Sequence, residues 1–257
     1  MTSGLRMLAI TVLLLLGWQL VVWLTGVPPY LLPGPMAVAV TLVDDFGYIL
    51  HHAGVTGLEI LLGLLLGTLL GSVSALTLAS FRSARRWLLP LLVISQALPV
   101  FALAPVLTLW LGYGLFSKVA MATLIIYFPV TAAFYDGLRA TEPGWVDFAR
   151  TVGATPRSVL RHIRIPAALP AFGSGLRVAA AVAPIGAVVG EWVGSSAGLG
   201  FLMLHANGRM QIDLMFAALA VLAVIGLVVY FATDLLLRRL TRWQTETLFT
   251  DMKGSSS

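Results

Sequence analysis

The chain has no cysteine, which excludes disulfides, thiolate metal sites and a cysteine nucleophile. Lysine is almost as scarce, with only Lys118 and Lys253. A nucleotide-binding Walker A loop needs Gly-Lys followed by Ser or Thr. Lys118 follows Ser117 and Lys253 follows Met252, so any ATP chemistry belongs to another polypeptide. Charge of both signs is sparse too: 11% of 257 residues, against roughly a quarter in soluble domains. Hydrophobic residues supply 59% and the mean hydropathy is +0.95. This composition points to a bilayer.

Six apolar stretches, near residues 7–24, 55–79, 87–111, 119–138, 169–193 and 214–237, approach the ~20 residues needed to cross about 30 Å of hydrocarbon. The fourth is interrupted by Pro129 and closed by Asp136. Thr25-Gly26-Val27-Pro28-Pro29 after the first lacks a small-residue cleavage signal, so that stretch reads as a retained helix. The fold class expected is all-α, an integral membrane protein of six transmembrane helices. Its divisions are 1–54 (first helix and external loop), 55–240 (helical core, with a loop at 139–166) and 241–257 (tail, of which Lys253-Gly254-Ser255-Ser256-Ser257 is expected to be disordered).

The net charge of +5 reflects topology rather than a nucleic-acid partner. If six spans alternate, 13 of the 16 cations fall on one side: Arg6; Arg82, Arg85 and Arg86; Arg139, Arg150, Arg157, Arg161 and Arg164; Arg238, Arg239, Arg242 and Lys253. Lys118 and Arg209 fall on the other, and Arg177 lies inside the fifth span. The positive-inside rule puts both termini and the 139–166 loop in the cytoplasm. Residues 25–54 carry no Lys or Arg and read as an external loop with a short amphipathic helix near 36–50.

Gly63, Gly67 and Gly71 recur every four residues in the second span, a stripe where another helix can approach closely. Glu59 is one more step along it and should face protein. The third span holds Pro90, Pro99, Pro105 and Gln96, which points to an interior, broken helix. The fifth is rich in Ala and Gly and ends on Glu191, again favouring the interior. The bland Leu/Val-rich first and sixth spans suit a lipid-facing position.

The 139–166 loop is far longer than a helix-to-helix connection needs. Trp145–Val152 and Pro156–Ile163 read as two short helices. Gly153 supplies the sharp turn between them, and Thr155 caps the second with Pro156 at its first position. Pro166 is expected to end that helix and Pro170 to start the next span. Val152, Ala154 and Val159 are the residues to bury, with arginines around them: a knob for docking a soluble partner.

Within it, Asp147-Phe148-Ala149 is followed by three residues, Gly153, nine residues, and Ile163-Arg164-Ile165-Pro166. This resembles the Glu-Ala-Ala loop of the integral membrane subunits of ABC importers, whose pattern closes on Gly and Ile-x-Leu-Pro. The spacing matches without a gap, and Asp147, Phe148 and Ile165 depart in residue type. The resemblance extends over about 55–240, through Pro99-x-x-Ala102-x-x-Pro105, Trp110-Leu111-Gly112, Gly190-Glu191 and Gly198-Leu199-Gly200. It implies a type I importer transmembrane fold in a bacterial inner membrane, a homodimer of permease subunits, a cytoplasmic ATPase dimer, and a periplasmic or lipid-anchored solute-binding protein. No cofactor is implied for this chain, ATP and Mg being bound by the partner, and Asp147, Phe148, Ala149, Gly153, Ile163, Ile165 and Pro166 form the ATPase-coupling loop. The branch resembled serves nitrate, alkanesulfonates, taurine and thiamine precursors. Ala183-Pro184-Ile185-Gly186, Glu191 to Ser196 and Leu202 to Asn207 look most like its carriers of hydroxymethylpyrimidine-type thiamine precursors.

Four residues are candidates for the translocation pathway or gate. Intramembrane carboxylates are costly and often functional, so Glu191 either lines the path or sits at the membrane interface. Glu59 reads first as a helix-packing carboxylate. Gln96 either bonds a neighbouring helix or touches the solute, and Trp192 either anchors at the interface or stacks on a flat ring. Among rivals, an ion-coupled transporter lacks paired half-repeats and leaves the loop without a purpose. An intramembrane hydrolase lacks a nucleophile motif around Ser195, and no His/Glu spacing indicates a metal. An enzyme is not expected.

Overall fold

A backbone in hydrocarbon has no water to bond with, so each span must satisfy its own N–H and C=O groups. The computed structural model describes residues 3–241, and every regular element in that range is helical. In order these are α1 (Ser3–Thr25), α2 (Pro35–Asp44), α3 (Phe46–Ser80), α4 (Arg82–Ala97), α5 (Val100–Leu111), α6 (Leu115–Arg139), α7 (Pro143–Thr151), α8 (Pro156–Val159), α9 (Ile165–Gly194), α10 (Leu199–Gly208) and α11 (Ile212–Leu240). A π-helical turn, Leu160–Arg164, joins α8 to α9. Of the tail expected over 241–257, residues 242–257 lie outside the described residues.

Among the described residues four helices are long and apolar enough to span: α3, α6, the continuous Pro156–Gly194 helix and α11. The α4–α5 pair, taken as one span, makes a fifth. The first expected span falls in α1, whose apolar run Ala9–Thr25 is shorter.

Three expectations need correction. Residues 36–50 are not one helix: α2 closes at Asp44 and α3 starts at Phe46, nine residues ahead of the expected span. His51, His52 and Gly54 do not delay the helix, since His52 is buried by packing rather than solvated. The third span is broken around Leu98 and Pro99 as expected, yet Leu91, Val93, Ile94, Leu109 and Trp110 are exposed rather than interior. Finally, Pro166 does not end a helix. The π turn widens the ladder just before it, with the Ile165 N–H donating to Leu160 O. Such a turn accommodates a ring that would clash with the carbonyl four residues back.

Contacts divide the chain into two compact units. The first comprises the chain up to Gly63, Phe101–Ala122 and Pro184–Gly226. Its core gathers Val38, Ile49, Leu199, Leu202 and Ala217 from α2, α3, α10 and α11. The second comprises Leu64–Val100, Thr123–Ala183 and the chain from Leu227, and packs Leu78, Leu92, Phe134, Leu138 and Ala168 together. Here the glycine stripe meets α6: a Cβ on Gly67 would stand 2.6 Å from Ile126 Cγ2, and one on Gly71 3.0 Å from Val130 Cγ1. Arg177, in the fifth span, is neutralised by Asp234 at 2.6 Å, which also takes Arg238 at 2.8 Å. The small residues Ala179, Ala180 and Ala183 are buried as expected, while α1 and much of α11 keep exposed Leu and Val.

Gly175 permits the closest backbone approach in the second unit. A Cβ there would lie 2.5 Å from Ala133 Cβ and 2.7 Å from Pro129 O. Gly175→Val is expected to destabilise the protein by about 3 kcal/mol or more, lowering the thermal midpoint of detergent-purified protein. Gly54→Ala, in α3 with nothing within 4 Å of the new methyl, is expected to leave the midpoint unchanged or raise it.

Candidate functional site

The loop between α6 and α9 forms a small folded knob in the second unit. Pro143 starts α7 at a position where no N–H is needed. Val146 and Ala149 then turn inward onto Val159, with Ala154 and Ile163 beside them. Gly153 has φ +83°, a left-handed conformation that costs other residues roughly 1–2 kcal/mol. The turn closes as a Schellman motif: Gly153 N–H donates to Arg150 O at 3.0 Å and Ala154 N–H to Ala149 O at 2.9 Å. Thr155 Oγ1 accepts from Ser158 N–H at 3.3 Å, the expected cap.

The sequence-derived loop residues therefore divide by role. Ala149 is buried, Ile163 and Ile165 are half-buried, and Gly153 makes the turn. Asp147 points outward and pairs with Arg150 at 3.6 Å. Phe148 is 70% exposed, and Val152, expected in the knob's core, is 67% exposed. Val152 lies just past the end of α7 and on its outer side, so Val146 takes the core position instead. Trp145, Phe148 and Val152 fall at i, i+3 and i+7, one stripe of a helix surface. Trp145, Phe148, Ile163 and Pro166 line an open apolar groove of about 610 Å³.

The first unit holds a second, buried constellation. Glu191, in the last turn of α9, is 1% exposed. Its Oε1 accepts from the Thr56 hydroxyl at 2.6 Å, and its Oε2 from the backbone N–H groups of Gly200 and Phe201. Leu199 N–H donates to Thr56 Oγ1 at 2.7 Å and Gly198 N–H to His52 Nδ1 at 2.9 Å. The start of α10 is thus closed by a carboxylate, a hydroxyl and an imidazole, satisfying N–H groups that a helix start leaves without partners. Gly198, at φ +113°, passes so close to the Glu191 carboxyl that a Cβ there would overlap it.

Glu59 is 0% exposed and neighbours Glu191. Lys118 Nζ, also buried, stands 3.6 Å from Glu59 Oε1. The structure therefore brings Glu59 and Glu191 together. Trp192 is 42% exposed and meets Phe101 edge-on at 6.4 Å. Gln96 belongs to the second unit, exposed, with its amide 3.5 Å from Ser95 Oγ. Sequence reasoning missed His52, Thr56 and Lys118. The signal was present, because His52, Thr56, Glu59 and Gly63 follow helical spacing on one face of α3.

Removing one partner from a buried ion pair costs about 3–5 kcal/mol, whereas replacing both by apolar groups costs far less. Lys118→Met is accordingly expected to destabilise the protein strongly, and Glu59→Leu/Lys118→Met to recover much of that loss. Equal thermal midpoints for the two variants would show that the pair carries no coupling.

The chain is 58% identical over 91% of its length, and 96% of the other, to a probable ABC transporter permease of Haemophilus influenzae. It is 35% identical, covering 90% of itself and 93% of the relative, to the formylaminopyrimidine transport permease ThiX of Halalkalibacterium halodurans. To the riboflavin transport system permease RibX of Chloroflexus aurantiacus it is 38% identical over 90% and 87%. In fold it is similar to the inward-facing methionine ABC transporter MetNI, with TM-score 0.60, 20% identity and coverage of 76% and 94%. It is similar also to an amino acid ABC transporter, with TM-score 0.61, 19% identity and coverage of 80% and 98%. Residues 63–242 match the binding-protein-dependent transport system inner membrane component family, and the chain belongs to that family: it is a multi-pass permease subunit of an ABC importer.

Proposed function

We propose that this permease carries a small nitrogen heterocycle across a bacterial inner membrane, with a thiamine pyrimidine precursor of the hydroxymethylpyrimidine type as first candidate. The observation that carries this reading is the 35% identity to a formylaminopyrimidine permease over nine-tenths of both chains. A riboflavin permease at 38% favours the second reading, a larger flat heterocycle. Alkanesulfonates, taurine and nitrate are the alternatives outside heterocycles; membership of the ABC importer family removes the ion-coupled secondary transporter. The assembly proposed is a permease homodimer, an ATPase dimer holding ATP and Mg at the cytoplasmic face, and a periplasmic or lipid-anchored binding protein opposite. Both termini lie in the cytoplasm.

The knob at 139–166 is the proposed lever. Its apolar stripe of Trp145, Phe148 and Val152 is exposed and would be buried in the ATPase. Its second helix continues into α9 without a stop, so a push on α7 and α8 would pass to a membrane helix rather than be lost in a flexible joint. ATP-driven closure and bundle switching are then linked equilibria. Glu59 and Glu191 are proposed to hold the gate formed by the start of α10. Exposed Trp192 and Gln96 remain proposed contacts of the solute.

Two measurements test this reading. Uptake of labelled hydroxymethylpyrimidine by cells carrying the complete transporter is expected to be inhibited by unlabelled pyrimidine and not by taurine, and inhibition in the opposite order would remove the substrate assignment. Gly153→Pro and Phe148→Asp are each expected to lower ATPase co-purification and uptake by at least about tenfold, equivalent to about 1.4 kcal/mol, while the permease still inserts in the membrane. Normal co-purification and uptake by both would remove the lever.

A further inference from the structure

A second cavity adjoins the knob and shares no lining residue with the apolar groove. It measures about 480 Å³ and is lined by Arg150, Arg157 and Arg164, with Ser80, Phe81 and Leu160 among its other walls. Among the described residues no carboxylate lines it. Asp147 pairs with Arg150 at 3.6 Å from an exposed position. Arg157 makes no ion pair among the described residues. Arg164 Nε is buried with no hydrogen-bond partner, and no carboxylate pairs with its guanidinium among the described residues. Ser80 Oγ donates to Leu76 O at 2.7 Å, which leaves its lone pairs free to accept only.

We propose that Arg150, Arg157 and Arg164 form a phosphate-binding site, taking either the headgroup phosphate of an acidic lipid or free phosphate. Planar guanidinium groups match phosphate oxygens in pairs; three arginines line this one cavity, and only Arg150 has a carboxylate partner among the described residues. The place in the fold agrees. Ala79 and Ser80 close α3 and Phe81 follows it, where a membrane-spanning helix stops and lipid phosphates lie. The cavity joins cationic heads to the apolar walls of Phe81, Val159 and Leu160, the polar–apolar junction that a lipid's phosphate and glycerol present. A lipid seated there would brace the knob against α3.

The test uses the full chain in nanodiscs of phosphatidylcholine alone or with phosphatidylglycerol, and native mass spectrometry to count retained lipid. Wild type is expected to retain phosphatidylglycerol and to unfold at a higher temperature in its presence. Arg157→Gln, at an exposed position, is expected to lower retention about tenfold, the weight of one charge-assisted contact. Arg157→Gln/Arg164→Gln should abolish it, and Arg161→Gln, outside the cavity, should leave it intact. Stabilisation by inorganic phosphate in neutral nanodiscs, lost in Arg157→Gln, would identify free phosphate as the occupant; no response to phosphate would identify the lipid. Equal retention and equal response to phosphate in wild type and Arg157→Gln would overturn the site. So would unchanged lipid and phosphate binding together with lost ATPase association, which would give these arginines to a protein partner.

Discussion

The whole arrangement depends on one constraint: a polypeptide inside hydrocarbon must find every hydrogen-bond partner within itself. That requirement keeps α6 helical through Pro129 and carries the Pro156–Gly194 helix through Pro166 and Pro170. A soluble protein at liberty to expose carbonyls to water ends helices at such prolines; here a single π turn absorbs the irregularity. The consequence is mechanical, because the second half of the loop knob and a membrane helix are one rod. The same constraint explains Glu191. Where α9 stops and α10 starts, free N–H groups must be met, and Glu191, Thr56 and His52 meet them. A buried carboxylate that looked like a pathway residue therefore serves first as the partner of backbone donors.

Much of this was legible in the sequence where the signal was local. Gly153 as the left-handed turn and Thr155 as the cap follow from residue type and neighbours. The stripe of Gly67 and Gly71 announced the close contact with α6, and step-of-four spacing correctly placed Glu59 against protein. What remained hidden depended on non-local partners. Nothing near Pro166 in sequence states that a π turn will spare the helix. Nothing near Arg177 names Asp234, 57 residues away, and Lys118 gives no hint that it meets Glu59. Proline content misled for α4 and α5, because a broken helix need not be an interior one: many of their large apolar side chains, Leu91, Val93, Ile94, Leu109 and Trp110 among them, are exposed on the single chain.

Membership of the permease family gives the knob its setting, and the exposed Phe148 at its tip gives it a surface. In this chain Phe148 stands where alanine satisfies the family pattern, so the contact with an ATPase groove would rest on apolar burial as much as on fit. Arg150, Arg157 and Arg164 line a separate cavity that shares no residue with the groove on that surface. The knob thus presents two chemically distinct faces, one apolar and one cationic.

The absence of cysteine makes the central claim directly measurable. With cysteine placed at Phe148 as the sole thiol, a membrane-impermeant maleimide should label inside-out vesicles stripped of the ATPase, fail to label intact cells, and be blocked when the ATPase is added back. Labelling from the outside of intact cells, or labelling indifferent to the ATPase, would contradict the account.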